Sequence, residues 1–234
     1  MKPIYVPSGK AKEYGDYAIN IYTGCPHGCY YCFAPSVLRK DRELFHIDVC
    51  PRNGIVEAVG KQLRSGDYGG KLIHLCFTCD PYPSGIDTTP TTNIIKLIKA
   101  YGANVQILTK NPLRATKDIG LLGDGDWFGT TLTGAVPYLE PNCECTADRI
   151  LGLYRAKSSG IHTWVSFEPV IDPIAVLQYI SNNSDLMDKV KIGKLNYHPS
   201  AINWHDFGHS VEALCKKQGL NYYIKESLQK EMLQ

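Results

Sequence analysis

No run of this 234-residue chain approaches the roughly eighteen consecutive apolar residues of a membrane-spanning helix, because Lys96, Lys99 and Lys110 interrupt its most apolar regions. The opening MKPIYVPSGK lacks the apolar middle of a secretory signal. Both absences lead to the expectation of a cytoplasmic protein without membrane contact. Charge of one sign is scarce too. With 25 Lys and Arg against 23 Asp and Glu, the formal net charge is +2, which excludes a broad basic footprint for nucleic acid and leaves only a local basic groove open. No internal repeat, low-complexity tract or Pro/Ser-rich linker divides the sequence. A single domain over residues 1–234 is therefore expected, with a core over about 17–200 and a C-terminal extension over about 201–234.

Cysteine is not scarce: there are nine. An odd count cannot pair fully within one chain, and a reducing compartment disfavours a disulfide framework. Metal or redox chemistry is then the leading explanation for any cluster of thiols.

Short apolar or β-branched runs alternate with stretches of helical spacing. The strand-like runs are YAINIY (17–22), KLIHLCF (71–77), NVQILT (104–109), WFGTTL (127–132), HTWVSF (162–167), VKIGKL (190–195) and NYYIK (221–225). Between them, Ile55, Val59 and Leu63, then Ile94, Leu97, Ile98 and Tyr101, and later Phe207, Val211, Leu214 and Cys215 recur at helical intervals. Asp172 followed by Pro173 reads as an N-cap with a first-turn proline, and Gly219 as a helix C-terminus. Such alternation implies an α/β fold: a parallel sheet covered by helices, open or curved into a barrel, with its functional edge at the carboxyl ends of the strands.

At that edge, directly after the first strand, stands GCPHGCYYCFAPS (24–36), with Cys25, Cys29 and Cys32 in a C-x-x-x-C-x-x-C run. A structural zinc site is normally closed by four ligands in paired C-x-x-C knuckles, and only His27, His46 or Cys50 is near enough in sequence to complete one. Three thiolates suit a [4Fe-4S] cluster with one iron left open to a small molecule, Gly24 and Gly28 letting the loop close round it. Unliganded core thiols are the remaining reading.

The motif, with the aromatic Tyr31 before its last cysteine, resembles that of the radical S-adenosylmethionine (SAM) enzymes. Further segments resemble the spore photoproduct lyase and DNA repair photolyase-like branch: FTCDPYP (77–83), ILTKNPL (107–113), GTTLT (129–133) and SFEPVIDP (166–173). The resemblance implies a partial (β/α)6 TIM-type barrel, here with an additional C-terminal strand. It also implies a [4Fe-4S] cluster that cleaves SAM reductively to a 5′-deoxyadenosyl radical. On it, Tyr31 and Phe33 lie against adenine and cluster, and Thr78, Cys79 and Asp80 form the turn that holds the methionyl ammonium. Lys110 and Thr131 meet the SAM carboxylate, while Ser166 and Glu168 bind the ribose hydroxyls. An electron donor such as flavodoxin or ferredoxin is the implied partner.

The branch's hydrogen-donating cysteine and tyrosine correspond to Phe77 and Phe33, neither of which can donate a hydrogen atom. Cys79 is the catalytic candidate in their place, with Cys76 and the tyrosines as substitutes. The implied substrate is a nucleic acid or nucleotide, for which Lys194, Asn196, Tyr197, His198, Lys225 and Glu226 are candidate contacts. Cys143 and Cys145 form a second metal site only if two further ligands join them, Cys50 and Cys215 being the candidates. A different class of reading is an iron-sulfur electron-transfer or sensing protein acting with a partner subunit.

Overall fold

The apolar runs become strands that hydrogen-bond in the order in which they occur. The computed structural model describes residues 2–233. Strand β1 (Tyr17–Ile19) is followed by helices α1 (Ala34–Leu38), α2 (Arg42–Ile47) and α3 (Ile55–Ser65). Strand and helix then alternate through β2 (Leu72–Leu75), α4 (Thr89–Ala100), β3 (Asn104–Thr109), α5 (Pro112–Ala115), β4 (Trp127–Thr131) and α6 (Thr146–Ser158). The chain continues through β5 (His162–Phe167), α7 (Pro173–Asn183), β6 (Lys189–Ile192), α8 (Trp204–Lys217), β7 (Asn221–Ile224) and α9 (Glu226–Met232). All seven strands are parallel, in the order β1 to β7, so the sheet is open with β1 and β7 at its edges. Among the described residues no helix is long and apolar enough to cross a membrane.

The expected ends hold where local chemistry fixes them. Asp172 accepts from the amides of Ile174 (2.9 Å) and Ala175 (3.1 Å) at the start of α7. Gly219 follows α8 with φ +66. The runs at 17–22 and 71–77 are longer than their strands. Cys76 turns to φ +68 and ends β2, and Asn20 Oδ1 takes the amides of Phe77 and Thr78 (both 2.9 Å) in place of a ladder. The sixth run begins one residue early and ends at Ile192.

Side chains alternate across a strand, and here the two parities differ in chemistry. Ile73, Leu75, Val105, Ile107, Phe128, Val165, Phe167, Val190 and Ile192 join one buried core with Val59, Leu63, Ile94, Ile98, Leu153, Val176 and Val211 of the helices. The other parity turns inward and is polar or aromatic: His74, Gln106, Trp164, Lys191 and Tyr223. These converge on Tyr14, which lies outside the sheet in sequence but inside the barrel in space. Its ring centroid is 5.4 Å from His74 and 6.0 Å from Trp164. Gly129 belongs to this face because a Cβ there would lie 2.3 Å from the Trp164 ring nitrogen.

Residues 5–14 cover the gap between the two edge strands. Tyr5 pairs antiparallel with Ala18 of β1. At the other end of the segment Glu13 accepts from Tyr223 Oη (2.8 Å) and pairs with Lys225 (3.1 Å) beside β7. Lys191 reaches the Glu13 carbonyl from within, its ammonium 4.1 Å from the Tyr14 ring centre.

Burial, with Lys189 and Lys225 nearby, pulls the Lys191 pKa down to about 7. Between pH 7 and 10 the unfolded chain binds a proton that the folded chain has released, so this group makes stability rise with pH across that window. Urea unfolding should show this contribution in the wild type and lose it in Lys191→Met, a difference on the order of 2–4 kcal/mol over the window. Parallel pH profiles for the two proteins would refute it.

Candidate functional site

The cysteine loop is held by its backbone. Cys25 N donates to Phe45 O (3.2 Å), and Gly24 has no alternative residue: a Cβ there would lie 2.2 Å from the same oxygen. Gly28 turns the loop at φ +67. Arg42, the first residue of α2, donates to the carbonyls of Cys29 (2.6 Å), Tyr30 (2.8 Å) and Cys32 (3.0 Å). His46 Nδ1 meets Cys25 O at 2.7 Å. These contacts use carbonyls and amides and leave the three thiols on the wall of a cavity of about 510 Å³.

The candidates for a fourth zinc ligand have other roles. His27 is buried with Nε2 accepting from Asn111 Nδ2 (3.0 Å) and Nδ1 3.6 Å from Asp80, and burial lowers its pKa. His46 is turned to the loop carbonyl, and Cys50 is exposed beside Thr23 Oγ1 at 3.6 Å. Among the described residues no three metal-ligating side chains are already gathered on one point. What the loop offers is a three-thiol donor set facing open space, which is the chemistry of a cluster site with one iron uncovered.

The expected cofactor-binding residues line the same cavity: Tyr31, Phe33, Thr78, Cys79, Asp80, Lys110, Thr131, Ser166 and Glu168. Their surroundings differ. Thr78 Oγ1 is buried without a hydrogen-bond partner. Asp80 is fully engaged, Oδ1 accepting from Thr109 Oγ1 (2.6 Å) and Tyr82 N (2.8 Å), and Oδ2 from Lys110 N (2.9 Å). The Lys110 ammonium lies 5.4 Å from the Tyr31 ring centre and makes no ion pair or hydrogen bond among the described residues. Burial opposes its charge, but the Cys29 and Cys143 thiols outweigh this and hold its pKa above the ordinary lysine value. Thr131 and Ser166 are buried at the ends of β4 and β5. Glu168 Oε2 is taken by Tyr14 Oη (2.6 Å) and Lys225 Nζ (2.6 Å), leaving Oε1 as its available oxygen.

Cys79 Sγ accepts from Tyr22 N (3.5 Å). Burial raises its pKa, but the hydrogen bond from Cys76 and the backbone amides prevail and lower it. Cys76 is buried and raised well above the usual thiol range by desolvation. At the cavity mouth Phe33 and Tyr197 are exposed, Tyr197 with φ +67 and Lys10 5.2 Å from its ring centre. Of the expected substrate contacts, Lys194, Asn196, Tyr197 and Lys225 line the cavity; His198 instead packs on Tyr30 at 4.8 Å. Glu226 is at the start of α9, its amide 3.3 Å from Glu13 Oε1.

A second loop, between β4 and α6, packs against the cysteine loop; the sequence had singled out only Cys143 and Cys145 in it. Tyr31 Oη donates to Glu140, which also accepts from Thr133 Oγ1 (3.1 Å) and pairs with Arg149 (2.7 Å). Burial raises the Glu140 pKa to about 7 despite the arginine. Cys143 stands with Sγ 3.9 Å from Cys29 Sγ, far from Cys50 and Cys215 in role: Cys50 faces Thr23, and Cys215 is buried in α8. That contact, with burial opposing it, draws the Cys29 thiol down to about 5. Burial raises Cys25 and Cys32. The sequence signal available for this loop was only the acidic and cysteine-bearing EPNCEC itself.

No family model matches the chain. An uncharacterized protein of Acidianus two-tailed virus, ORF301, is 27% identical over 207 residues, which are 80% of this chain and 67% of that protein. Among solved structures, spore photoproduct lyase complexed with dinucleoside spore photoproduct has a TM-score of 0.70 at 13% identity, covering 94% of this chain and 79% of the lyase chain. Streptococcus suis SuiB bound to S-adenosylmethionine has a TM-score of 0.64 at 13% identity, covering 88% of this chain and 49% of SuiB. At these identities the likeness is one of fold: this chain has the open parallel α/β barrel of both.

Arg149 is the sole cation paired with Glu140 among the described residues, and both side chains are 5% exposed. In urea unfolding at about pH 9, above the Glu140 pKa, Arg149→Met leaves a buried carboxylate without its counter-charge and should destabilise the protein by about 3–5 kcal/mol. Adding Glu140→Gln should recover much of that loss. A single variant as stable as wild type would show that the pair contributes nothing.

Proposed function

We propose that the chain is a radical SAM enzyme. The observation that carries this is the meeting, in one cavity at the carboxyl ends of parallel strands, of three thiols on one loop with a half-buried ammonium, Lys110, that has no carboxylate partner among the described residues. Cys25, Cys29 and Cys32 would hold a [4Fe-4S] cluster, and the uncovered iron would take the amino and carboxylate groups of SAM. When bound, these groups supply the one-electron cleavage of SAM that yields a 5′-deoxyadenosyl radical able to take hydrogen from a substrate. The shared fold with SuiB, whose structure contains S-adenosylmethionine, supports the reading.

Each remaining role belongs to the chain. Lys110 neutralises the SAM carboxylate through a charge-assisted hydrogen bond. Thr78 Oγ1, otherwise unsatisfied, gains a polar partner in the same space. Asp80 orients the Lys110 and Tyr82 amides, since its own oxygens are occupied. Tyr31 and Phe33 border the adenine, Thr131 and Ser166 offer hydroxyls, and Glu168 has Oε1 for a ribose hydroxyl. Cys79 is the thiol that returns hydrogen to the product, since Phe33 and Phe77 carry no transferable hydrogen. The proposed substrate is a nucleotide or nucleic-acid segment, for which the exposed Tyr197 and Phe33 at the mouth offer stacking faces. A flavodoxin or ferredoxin would be the electron source in a reducing cytoplasm.

Anaerobic reconstitution should load about four irons. Cys25→Ala and Cys32→Ala should each lose them, and iron retained at wild-type level in either variant would sink the cluster assignment. Lys110→Ala should keep its iron while binding SAM about ten- to a hundredfold more weakly, the loss of roughly 1.5–3 kcal/mol from one charge-assisted contact. Equal affinity by calorimetry would remove Lys110 from the site.

A further inference from the structure

The pair Cys29 and Cys143 is not used by the proposed chemistry, in which Cys29 needs only iron. We propose that these two thiols form an oxidative modification site: in the cluster-free chain, a low-molecular-weight disulfide converts them to a Cys29–Cys143 bridge that blocks iron loading until it is reduced. The proposal rests on the reading of residues 25–32 as the cluster loop.

The geometry favours this pair over others. Their sulfurs are 3.9 Å apart although the residues are 114 positions apart in the chain. The two loops are joined on either side of the contact. Asn142 donates from its amide to His27 O (3.3 Å) and from Nδ2 to Pro26 O (2.8 Å), while Tyr30 N donates to Leu139 O (2.9 Å). Beyond Cys143, Glu144 N donates to Asn111 Oδ1 (2.9 Å). With the two loops held in register on both sides, closure asks the sulfurs to approach from 3.9 Å to the roughly 2 Å of a bond. Cys29 is 6% exposed and Cys143 half-buried, so an oxidant meets Cys143 first.

The steps balance. Cys143 gives its proton to solvent as its sulfur attacks glutathione disulfide, forming a mixed disulfide and releasing one glutathione thiolate. The Cys29 thiolate then attacks the Cys143 sulfur and releases the second. Two protein thiols are oxidised by two electrons, one glutathione disulfide is reduced to two thiols, and the protons of Cys29 and Cys143 pass to the glutathione or solvent. The bridge removes one of three cluster ligands, so the remaining pair cannot hold the cluster.

The full-length iron-free chain is incubated anaerobically with glutathione disulfide, alkylated and mapped by mass spectrometry, and its iron uptake is measured before and after a thiol reductant. The expected result is a crosslink between the Cys29 and Cys143 peptides, alkylated Cys25 and Cys32, and iron uptake at least tenfold lower until reduction. Cys143→Ser, with an unchanged circular dichroism spectrum, should load iron after the same treatment. A bridge within Cys25, Cys29 and Cys32, a stable glutathione adduct on Cys143, or a Cys29–Cys143 bridge that leaves uptake unchanged would each overturn the proposal. Failure of the untreated chain to load iron would instead count against the cluster loop, while the crosslink would still report on the thiol pair.

Discussion

The ammonium of Lys225 holds together three parts of the chain that the sheet leaves separate. It lies 2.6 Å from Glu168 beyond β5 and 3.1 Å from Glu13 in the N-terminal segment, while its own residue follows β7. A parallel sheet of seven strands in sequence order has no ladder from its last strand back to its first, so closure falls to side chains. A buried cation between two carboxylates suits this: removal of the Lys225 ammonium would leave both carboxylates without their shared counter-charge, which costs far more than loss of a surface pair would. The same arrangement fixes Tyr14 Oη on Glu168, and with it the floor of the cavity.

The cysteine loop is positioned by a different principle. Arg42, His46 and Phe45 hold carbonyls and amides, so the loop's course is held chiefly through its backbone. Side-chain packing keeps the one intervening polar residue, His27, against Asn111.

Period and punctuation made much of the sheet readable. NVQILT and HTWVSF become β3 and β5 with the same ends, because neighbouring strands and apolar burial agree with β propensity there. Where backbone groups had a competing local partner the reading overran, as at Cys76 and Asn20. The short helices α1 and α2 span five and six residues, too few for a hydrophobic period to register. Motif spacing named Cys25, Cys29 and Cys32, and the resemblance named Lys110 and Thr131; all five line one cavity. Nothing local marked Tyr14, Glu140, Arg149 or Cys143 as neighbours of that edge, since each arrives through tertiary contacts from a segment with its own unremarkable pattern. Glu168 was legible as a strand-end carboxylate, but its capture by Lys225 was not.

Glu13 and its partner Tyr223 are 210 residues apart. As the chain leaves the ribosome, the cysteine loop and the first strands are available long before the residues that seal the barrel's edge exist. Contacts of such separation form late, because the intervening chain must be ordered before they are rewarded. The gap beside β1 thus stays open in the nascent protein until β7 has been made and Glu13 can meet Tyr223 and Lys225.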